Sequence, residues 1–174
     1  GLMTSVLNNE GIVSLPDDVD SVTVELRDTV SPYALIASYT GMLKTNGNLE
    51  CFFPSGVNGL SYYLVVKHRN LIETWSAAPV PLSTICSYSF SNAASKAYGD
   101  NQTEVSTGLW AMYSGDLTQD QNIDLLDANL LENDISNFEF GYKVSDINGD
   151  GNVDLLDSPM LETNINSFLY SIHP

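Results

Sequence analysis

Basic residues are scarce in this sequence. Lys and Arg number 6 in 174 residues, against 22 Asp and Glu, and the formal net charge is −16. Because phosphate groups are bound mainly by Lys and Arg, this balance excludes a nucleic-acid partner and argues against an anionic membrane surface. The sequence also lacks an apolar run of about 18 residues, the length that spans a bilayer, so we expect no membrane insertion.

Residues that usually carry out catalysis are scarce as well. The sequence has two histidines, His68 in a predicted strand and His173 near the C-terminus, and no Gly-x-Ser-x-Gly motif, P-loop or dinucleotide fingerprint. We therefore expect no enzyme. The two cysteines, Cys51 and Cys86, do not suggest a zinc site, and the sequence leaves open whether they form a disulfide or remain thiols.

The N-terminal part of the chain has the pattern of short strands joined by turns. Val22, Val24 and Leu26 alternate with polar residues, as in a half-buried strand. Residues 60–69 (LSYYLVVKHR) are rich in the aromatic and β-branched side chains that favour strands. This series of strands and turns predicts an antiparallel β-sandwich. The further strands are expected at residues 33–39, 48–53, 71–75 and 82–90.

Small and polar residues from 93 to 106 (AASKAYGDNQTEVS) predict a linker or a long loop. We therefore expect two domains, a β-sandwich accessory module at residues 1–105 and a second module at residues 106–174. In the first, the segments VTVELRD, TGMLKTNGNLECFF and GLSYYLVVKHRN resemble transthyretin-like and carboxypeptidase-regulatory-like sandwiches of secreted bacterial proteins. The resemblance implies a secreted or cell-surface location in a bacterium.

The acidic residues are concentrated in the second module. Residues 1–115 contain 10 acids and 5 bases, whereas residues 116–174 contain 12 acids and one base, Lys143. Such a cluster repels itself unless a cation lies within it. The same region contains an internal repeat, since residues 116–140 and 146–170 are identical at 11 of 25 aligned positions. One supersecondary unit is therefore used twice.

Each copy of the repeat opens with a loop of calcium-binding spacing. Oxygen-bearing side chains stand at loop positions 1, 3, 5, 9 and 12, and position 7 offers its backbone carbonyl, as in an EF-hand loop. Ca²⁺ is a hard cation that takes six to eight oxygen ligands, so the sequence predicts two bound Ca²⁺. The predicted ligands are Asp116, Thr118, Asp120, Asn122, Asp124 and Asp127 in the first loop and Asp146, Asn148, Asp150, Asn152, Asp154 and Asp157 in the second.

This repeat resembles a dockerin module, which has two calcium loops, each followed by one helix and each closed by Asp at position 12. The resemblance covers about residues 116–170 and implies a cohesin-like or other surface protein as partner. In the predicted helices, an apolar stripe is expected at Leu126 and Leu130, and at the matching Leu156 and Met160 of the second copy. The position 8 residues, Ile123 and Val153, are expected to pair the two loops.

Two departures from the dockerin pattern modify these expectations. Position 6 of the first loop is Gln121, where Gly relieves the strain of a positive φ, and position 3 is the neutral Thr118. We therefore predict a weaker first site. Positions 10 and 11, which help to select the cohesin and are often small and polar, are the leucine pairs Leu125, Leu126, Leu155 and Leu156.

These leucines are the candidate partner-binding residues, and we expect at least one of each pair to pack inward or against a partner. The departure argues against cohesin binding of the cellulosomal kind. The sequence thus favours a non-catalytic calcium-binding module for attachment or assembly. Two alternatives remain open. One is a carbohydrate-binding module with structural calcium, in which Tyr62, Tyr63 and Trp75 form a glycan platform. The other is a calcium-stiffened stalk or adhesin segment without a cohesin-like partner.

Overall fold

The structure is a computed structural model that describes residues 2–12 and 15–174. It has a β-rich N-terminal part and two longer helices near the C-terminus, so the predicted mainly β fold with a small α part is confirmed. Within the described ranges, no helix is long and apolar enough to cross a bilayer. The elements are α1 (Val6–Asn9), β1 (Asp18–Arg27), β2 (Leu35–Lys44), β3 (Ser61–His68), β4 (Leu71–Trp75), β5 (Val80–Pro81), β6 (Thr103–Ser106), β7 (Leu109–Ala111), α2 (Leu125–Ser136) and α3 (Ser158–Asn166).

The N-terminal part is built on a five-stranded antiparallel sheet. Its strands lie in the order β2–β1–β3–β4, and β5 pairs with the start of β3. The apolar side chains of β1 face a core in which Leu26 is fully buried against Tyr62, Val80 and Leu82. Strands β6 and β7 form a separate hairpin. The predicted antiparallel pairing of the strands is confirmed.

Two predicted strands are not formed. Residues 48–53 and 82–90 are both irregular. The two-residue strand β5 ends just before the second of these segments. Both segments still supply core side chains, because Phe53 and Tyr88 pack against the cluster around Leu26. Apolar side chains at these positions thus indicate burial, and the sheet hydrogen bonds that define a strand are absent from these two segments.

The segment predicted as a linker or a long loop is attached to the sheet. It contains two short 3₁₀ turns, Ala94–Lys96 and Tyr98–Asp100, followed by β6. The N–H of Ala77, two residues after the end of β4, donates to the carbonyl of Lys96 at 2.9 Å. This hydrogen bond fixes the first 3₁₀ turn beside the end of β4. The predicted boundary between residues 105 and 106 lies within β6, and the division into two domains stays a prediction.

The two C-terminal helices pack around a second core. Leu131 of α2 and Leu161 of α3 are almost fully buried, and Ile135 and Ile165 pack against them one turn later. Of the predicted stripe, Leu130 packs against this core, whereas Leu126, Leu156 and Met160 are 56%, 68% and 50% exposed. The buried face of each helix lies one residue further along the chain than the predicted stripe.

The second core includes a residue of the sheet. Ile72 of β4 is fully buried within the cluster formed by Leu117, Ile123, Leu131, Val153 and Leu161. Its backbone N–H donates to the carbonyl of Tyr113 at 3.0 Å, so the chain that leads into the helical part runs along the edge of the sheet. The sheet and the helices are therefore packed directly against each other.

Candidate calcium-binding loops

The carboxylate at position 12 holds each loop backbone together. Asp127 accepts hydrogen bonds from the backbone N–H groups at positions 2, 3 and 9 of its loop, at 2.8, 2.9 and 2.8 Å. Asp157 accepts from the same three positions of the second loop at 2.8, 3.0 and 3.0 Å. Both side chains are essentially inaccessible to solvent. One Asp thus connects the start of each loop to its end.

The carboxylate at position 1 binds the middle of each loop. Asp116 accepts from the N–H groups at positions 5 and 6, at 3.2 and 3.1 Å. Asp146 accepts from positions 4, 5 and 6 at 2.8, 3.1 and 3.2 Å. The two loops therefore have nearly the same framework, in which buried carboxylates at positions 1 and 12 are held in place by backbone N–H donors.

The other predicted ligands lie nearer to solvent on the same loops. Asp120 and Asp150 each accept from the N–H at position 7 at 2.9 Å, and Asp124 and Asp154 each accept from the N–H at position 11 at 2.7 Å. Each of these four Asp side chains thus accepts from the backbone N–H two residues later in its own loop. The remaining predicted ligands, which offer an amide, hydroxyl or backbone oxygen, are exposed: Thr118, Asn122, Asn148 and Asn152.

The helices leave the loops at different points. In the first copy, Asp124 and Asp127 form a capping box, and α2 begins at Leu125. In the second copy, α3 begins only at Ser158 and has Pro at its start. Pro159 has no N–H to donate to the carbonyl four residues earlier, so the helical turn that opens α2 cannot form in the second copy. The bonds of the position 12 carboxylate are nevertheless the same in both copies.

The buried carboxylates at position 1 have raised pKa values, and the nearby charge of Arg69 opposes the shift of Asp146 only in part. Burial, together with the negative charge of Asp127, raises the pKa of Asp116 to about 6, although N–H donors partly oppose the shift. Burial also raises the pKa of Asp146, against the opposing effect of N–H groups from Gly149 and Gly151. Within residues 2–12 and 15–174, no Lys, Arg or His forms an ion pair with the acids at positions 1 and 12.

This donor set fits a hard divalent cation. In the described part of the chain, no three Cys, His, Asp or Glu side chains are already drawn together into a metal cluster. Loops of this type complete their ligand shell with amide oxygens, a backbone carbonyl and water, and the carboxylates supply the charge. Oxygen ligands and uncompensated buried carboxylates suit Ca²⁺. The identity of the twelve ligands and the number of ions stay predictions.

The loops differ at positions 4 and 6, where the backbone has a positive φ in both copies. The first loop has Gln119 and Gln121 at these positions, with φ of 58° and 73°, and the second has Gly149 and Gly151, with φ of 74° and 84°. A side chain on the second loop would meet the N-terminal segment, because a Cβ on Gly149 would lie 2.8 Å from Val6 and one on Gly151 would lie 2.1 Å from Glu10. Packing against Val6 favours glycine at position 149 in addition to the backbone conformation, whereas the Glu10 carboxylate next to Gly151 is the end of a flexible side chain that can move.

The expected direct pairing of the two loops is not formed. The N–H of Ile123 donates to the carbonyl of Leu169 at 2.9 Å, and that of Val153 donates to the carbonyl of Glu139 at 3.3 Å. Each loop thus pairs with the segment that follows the helix of the other copy. The prediction was therefore wrong about their hydrogen-bond partners, and the side chains of Ile123 and Val153 are instead both buried in the second core.

The four candidate partner-binding leucines lie on the surface. Leu125 and Leu126 are 70% and 56% exposed, and Leu155 and Leu156 are 74% and 68% exposed. The inward packing that we considered for them does not occur. Because apolar side chains at this density are uncommon on a surface that contacts only water, contact with a partner is the alternative that remains.

The aromatic residues of the glycan hypothesis do not form an open platform. Tyr62 and Trp75 are 8% and 5% exposed, and the Trp75 indole N–H donates to Glu73 at 2.6 Å.

Cys51 and Cys86 have free thiols, and burial, with a smaller effect of Cys86, raises the pKa of Cys51 to about 11. Both cysteines lie in irregular segments outside the strands, with Cys51 partly buried and Cys86 exposed.

Sequence reasoning missed the residues that connect the sheet to the second loop. Arg69 and Asn70, in the turn between β3 and β4, donate hydrogen bonds to the backbone carbonyl of Asp146. His68 also has a structural place, because its Nε2 lies 2.9 Å from the carboxylate of Asp20. A polar turn after a strong strand ordinarily indicates exposure, so the sequence contains no local signal for these contacts.

Comparison with known proteins assigns the C-terminal segment. Residues 114–166 match the family model of the dockerin type I domain. No curated protein matches the chain. Two similar solved structures are an N-terminal and a C-terminal interface mutant of a type II cohesin–X-dockerin complex from Acetivibrio cellulolyticus. Both are 19% identical, with TM-scores of 0.48 and 0.49, and the similarity covers 85% and 84% of this chain and 82% of each of those chains.

Proposed function

Because residues 114–166 are a dockerin type I domain, we propose that the chain is a calcium-dependent attachment module that binds a cohesin-type domain. The dockerin domain is a non-catalytic module, and we extend this to the whole chain, which we propose to have no catalytic activity of its own. Two Ca²⁺ would be held by the twelve predicted ligands. The attachment would take place outside the cell, in a secreted or cell-surface bacterial assembly.

The observation that supports a protein partner is the pair of apolar surfaces beside the two loops. Leu125 and Leu126 are exposed next to the first loop, and Phe168, which is 84% exposed, directly precedes the residue that hydrogen-bonds to this loop. The second copy repeats the arrangement with Leu155, Leu156 and Phe138. Apolar surfaces placed on a calcium-folded scaffold suit docking against an apolar protein face.

Calcium would act by fixing the positions of these surfaces. Each leucine pair directly precedes the position 12 carboxylate, Asp127 or Asp157, which is the side chain that binds the loop backbone. A bound ion neutralises the buried carboxylates and stabilises this arrangement, because a ligand that binds only the folded state shifts the folding equilibrium. Removal of the ion is therefore expected to loosen the docking surface.

The two alternatives are less well supported. A glycan platform at Tyr62, Tyr63 and Trp75 is not favoured, because two of the three rings are buried. A passive stalk requires no partner surface and leaves the exposed leucines without a role. Possible glycan binding is thus the weaker proposal.

A binding assay with immobilised protein tests the proposal. A panel of purified type I and type II cohesin domains is applied in Ca²⁺ and again in a chelator. We expect at least one cohesin to be retained in Ca²⁺ and released by the chelator. The double substitutions Leu125→Ser with Leu126→Ser, and Leu155→Ser with Leu156→Ser, should weaken retention.

The matched control is Ile85→Ser, since Ile85 is 90% exposed and lies in the sheet part. It should leave retention unchanged. Retention that survives the chelator, or failure of every cohesin to bind in Ca²⁺, would contradict the proposed function. Retention that is equally weakened by Ile85→Ser would show that any exposed apolar residue contributes and that the surfaces beside the loops have no special role.

A further inference from the structure

The position 1 carbonyl is hydrogen-bonded differently in the two loops. In the first loop, the side-chain amide of Gln119 donates to the carbonyl of Asp116 at 2.6 Å, so the loop satisfies its own carbonyl. In the second loop, position 4 is Gly149, which has no side chain to donate. The carbonyl of Asp146 instead accepts from Asn70 at 3.2 Å and from Arg69 at 3.3 Å.

These two donors come from the sheet and are themselves held in place. The guanidinium of Arg69 also donates to the carbonyl of Lys143 and, at 3.0 Å, to the carboxylate of Asp20 on β1. The same guanidinium lies 4.8 Å from the centre of the Tyr142 ring. The hydroxyl of Tyr142 donates to Asp20 at 2.6 Å. The guanidinium is thus fixed between β1 and the entry to the second loop.

Asn70 is oriented by the residue two positions before it. The carboxamide oxygen of Asn70 lies 3.0 Å from Nδ1 of His68, and Nε2 of His68 lies 2.9 Å from Asp20. Asp20, Asn70 and Asp146 are all buried, so water has little access to these groups. A buried network in which every member has a partner is more rigid than its separate hydrogen bonds in water.

We propose that Arg69 and Asn70 are positioning residues for the second calcium site, through which the sheet sets the calcium affinity of that loop. They hold the backbone of Asp146, and therefore the direction of its carboxylate, before the ion arrives. Groups that orient a ligand without touching the metal commonly change metal affinity by about 10- to 100-fold. This inference rests on calcium binding as given under the proposed function.

A consequence is that the coupling acts in both directions. If the network raises calcium affinity, then bound calcium must stabilise the network by the same free energy, because linkage between two equilibria is reciprocal. The first loop is joined to the sheet differently: the N–H of Gly115 donates to the carbonyl of Asn70 at 2.7 Å and Gln119 donates to the carbonyl of Leu71 at 3.4 Å, but within the described residues no side chain of the sheet donates to the position 1 carbonyl of this loop. Calcium at the second site is therefore expected to stabilise the sheet more than calcium at the first.

Calcium titration of the full chain tests this with each loop isolated in turn. Asp120→Ala, an exposed ligand, leaves only the second loop, and Asp150→Ala leaves only the first. In these two backgrounds we introduce Arg69→Met and measure affinity by calorimetry. We expect Arg69→Met to lower the affinity of the second loop about tenfold or more and to change that of the first loop less than about twofold.

Lys44→Met is the matched control. Lys44 forms an ion pair with the buried Asp18 on β1, the strand that also holds Asp20, and its removal changes the net charge by the same amount. It should leave both affinities unchanged. If Arg69→Met does not fold, Tyr142→Phe, which removes one hydroxyl from the half-exposed edge of the network, should lower the affinity of the second loop alone by a smaller factor.

The outcomes separate this inference from the proposed function. Two sites in the unsubstituted protein with no effect of Arg69→Met would overturn the inference alone. An equal loss at both loops would show general destabilisation and would overturn it as well. No calcium binding at either loop of the unsubstituted protein would overturn both.

Discussion

At the scale of single residues, the buried Asp residues at positions 1 and 12 hold the backbone of each loop in place. Asp127 and Asp157 were predicted from their spacing alone, and the structure gives each of them three backbone N–H donors. The spacing could be recognised because an ion imposes it on a short contiguous segment. Arg69 could not be recognised, since its partners lie 49 and 74 positions away in the sequence.

Substitution of Asp157 by Ala is expected to abolish calcium binding at the second loop. It also leaves three partly buried backbone donors without an acceptor, and an unsatisfied donor that is fully buried costs about 1–3 kcal/mol. We therefore expect the free energy of unfolding to fall even without calcium, as measured by urea denaturation in a chelator. Glu132→Gln, a substitution at an exposed acid of α2, is the control and should have little effect. An unchanged free energy for Asp157→Ala would show that the carboxylate does not support the loop.

The raised pKa of Asp116 predicts the pH dependence of the calcium-free protein. Its ordinary value is 3.8, and burial with the charge of Asp127 raises the pKa to about 6 in the folded state. Between these values the folded state binds more protons than the unfolded state, so stability increases as pH falls from 7 to 5, by at most about 1.4 kcal/mol, because this range includes one pH unit below the folded-state pKa.

Denaturation at pH 7 and pH 5 without calcium measures this effect. Asp116→Asn should remove most of the difference between the two pH values. A calcium-free protein that is less stable at pH 5 than at pH 7 would contradict the assignment. With calcium present, the sign reverses, because protons compete with the ion for the carboxylate, and the affinity should fall as pH falls through 6.

At the scale of elements, local patterns predicted the secondary structure of several segments but not the segments against which they pack. Strands β1, β3 and β4 were found from alternation and β-branched residues, and both loops were found from their spacing. Residues 48–53 were assigned to a strand incorrectly, because burial of Phe53 comes from the core and not from a strand partner. The pairing of each loop with the far end of the other copy was also missed, since it depends on how α2 and α3 pack.

The first loop is expected to improve when Gln121 is replaced by Gly. Gln121 has a φ of 73°, a conformation that costs a residue with a side chain roughly 1–2 kcal/mol and costs glycine almost nothing. Calcium titration in the Asp150→Ala background should show a several-fold higher affinity. The reciprocal substitution Gly151→Ala should weaken the second loop, because Gly151 has a φ of 84° and the added Cβ would also require Glu10 to move. A first loop that binds more tightly than the second in the unsubstituted protein would contradict this ranking.

At the scale of the whole molecule, the sheet and the segment that matches the dockerin model share a core and a hydrogen-bond network. The sequence pattern divides the chain into residues 1–105 and residues 106–174. The packing crosses this division, because Ile72 of the sheet lies inside the core of the second part. The acidic residues are concentrated in the second part of the chain. Eight of the acids after residue 115 stand at loop positions, and two Ca²⁺ would change the formal net charge from −16 to −12.

Ile72→Ala should therefore destabilise both parts together. Truncation of a fully buried Ile costs about 2–5 kcal/mol, and the lost contacts lie between the sheet and the calcium loops. We expect thermal unfolding followed by Trp fluorescence and by calcium release to shift to lower temperature by the same amount. Val80→Ala, within the core of the sheet alone, is the comparison variant. Two separate transitions, with only the calcium-linked one shifted, would show that the parts fold independently.

Calcium binding by the two repeated loops can be measured by calorimetric titration of the full chain with Ca²⁺. We expect two ions per chain, and none when Asp127→Ala and Asp157→Ala are combined. Absence of calcium binding by the unsubstituted protein, or binding that persists in the double variant, would contradict this expectation.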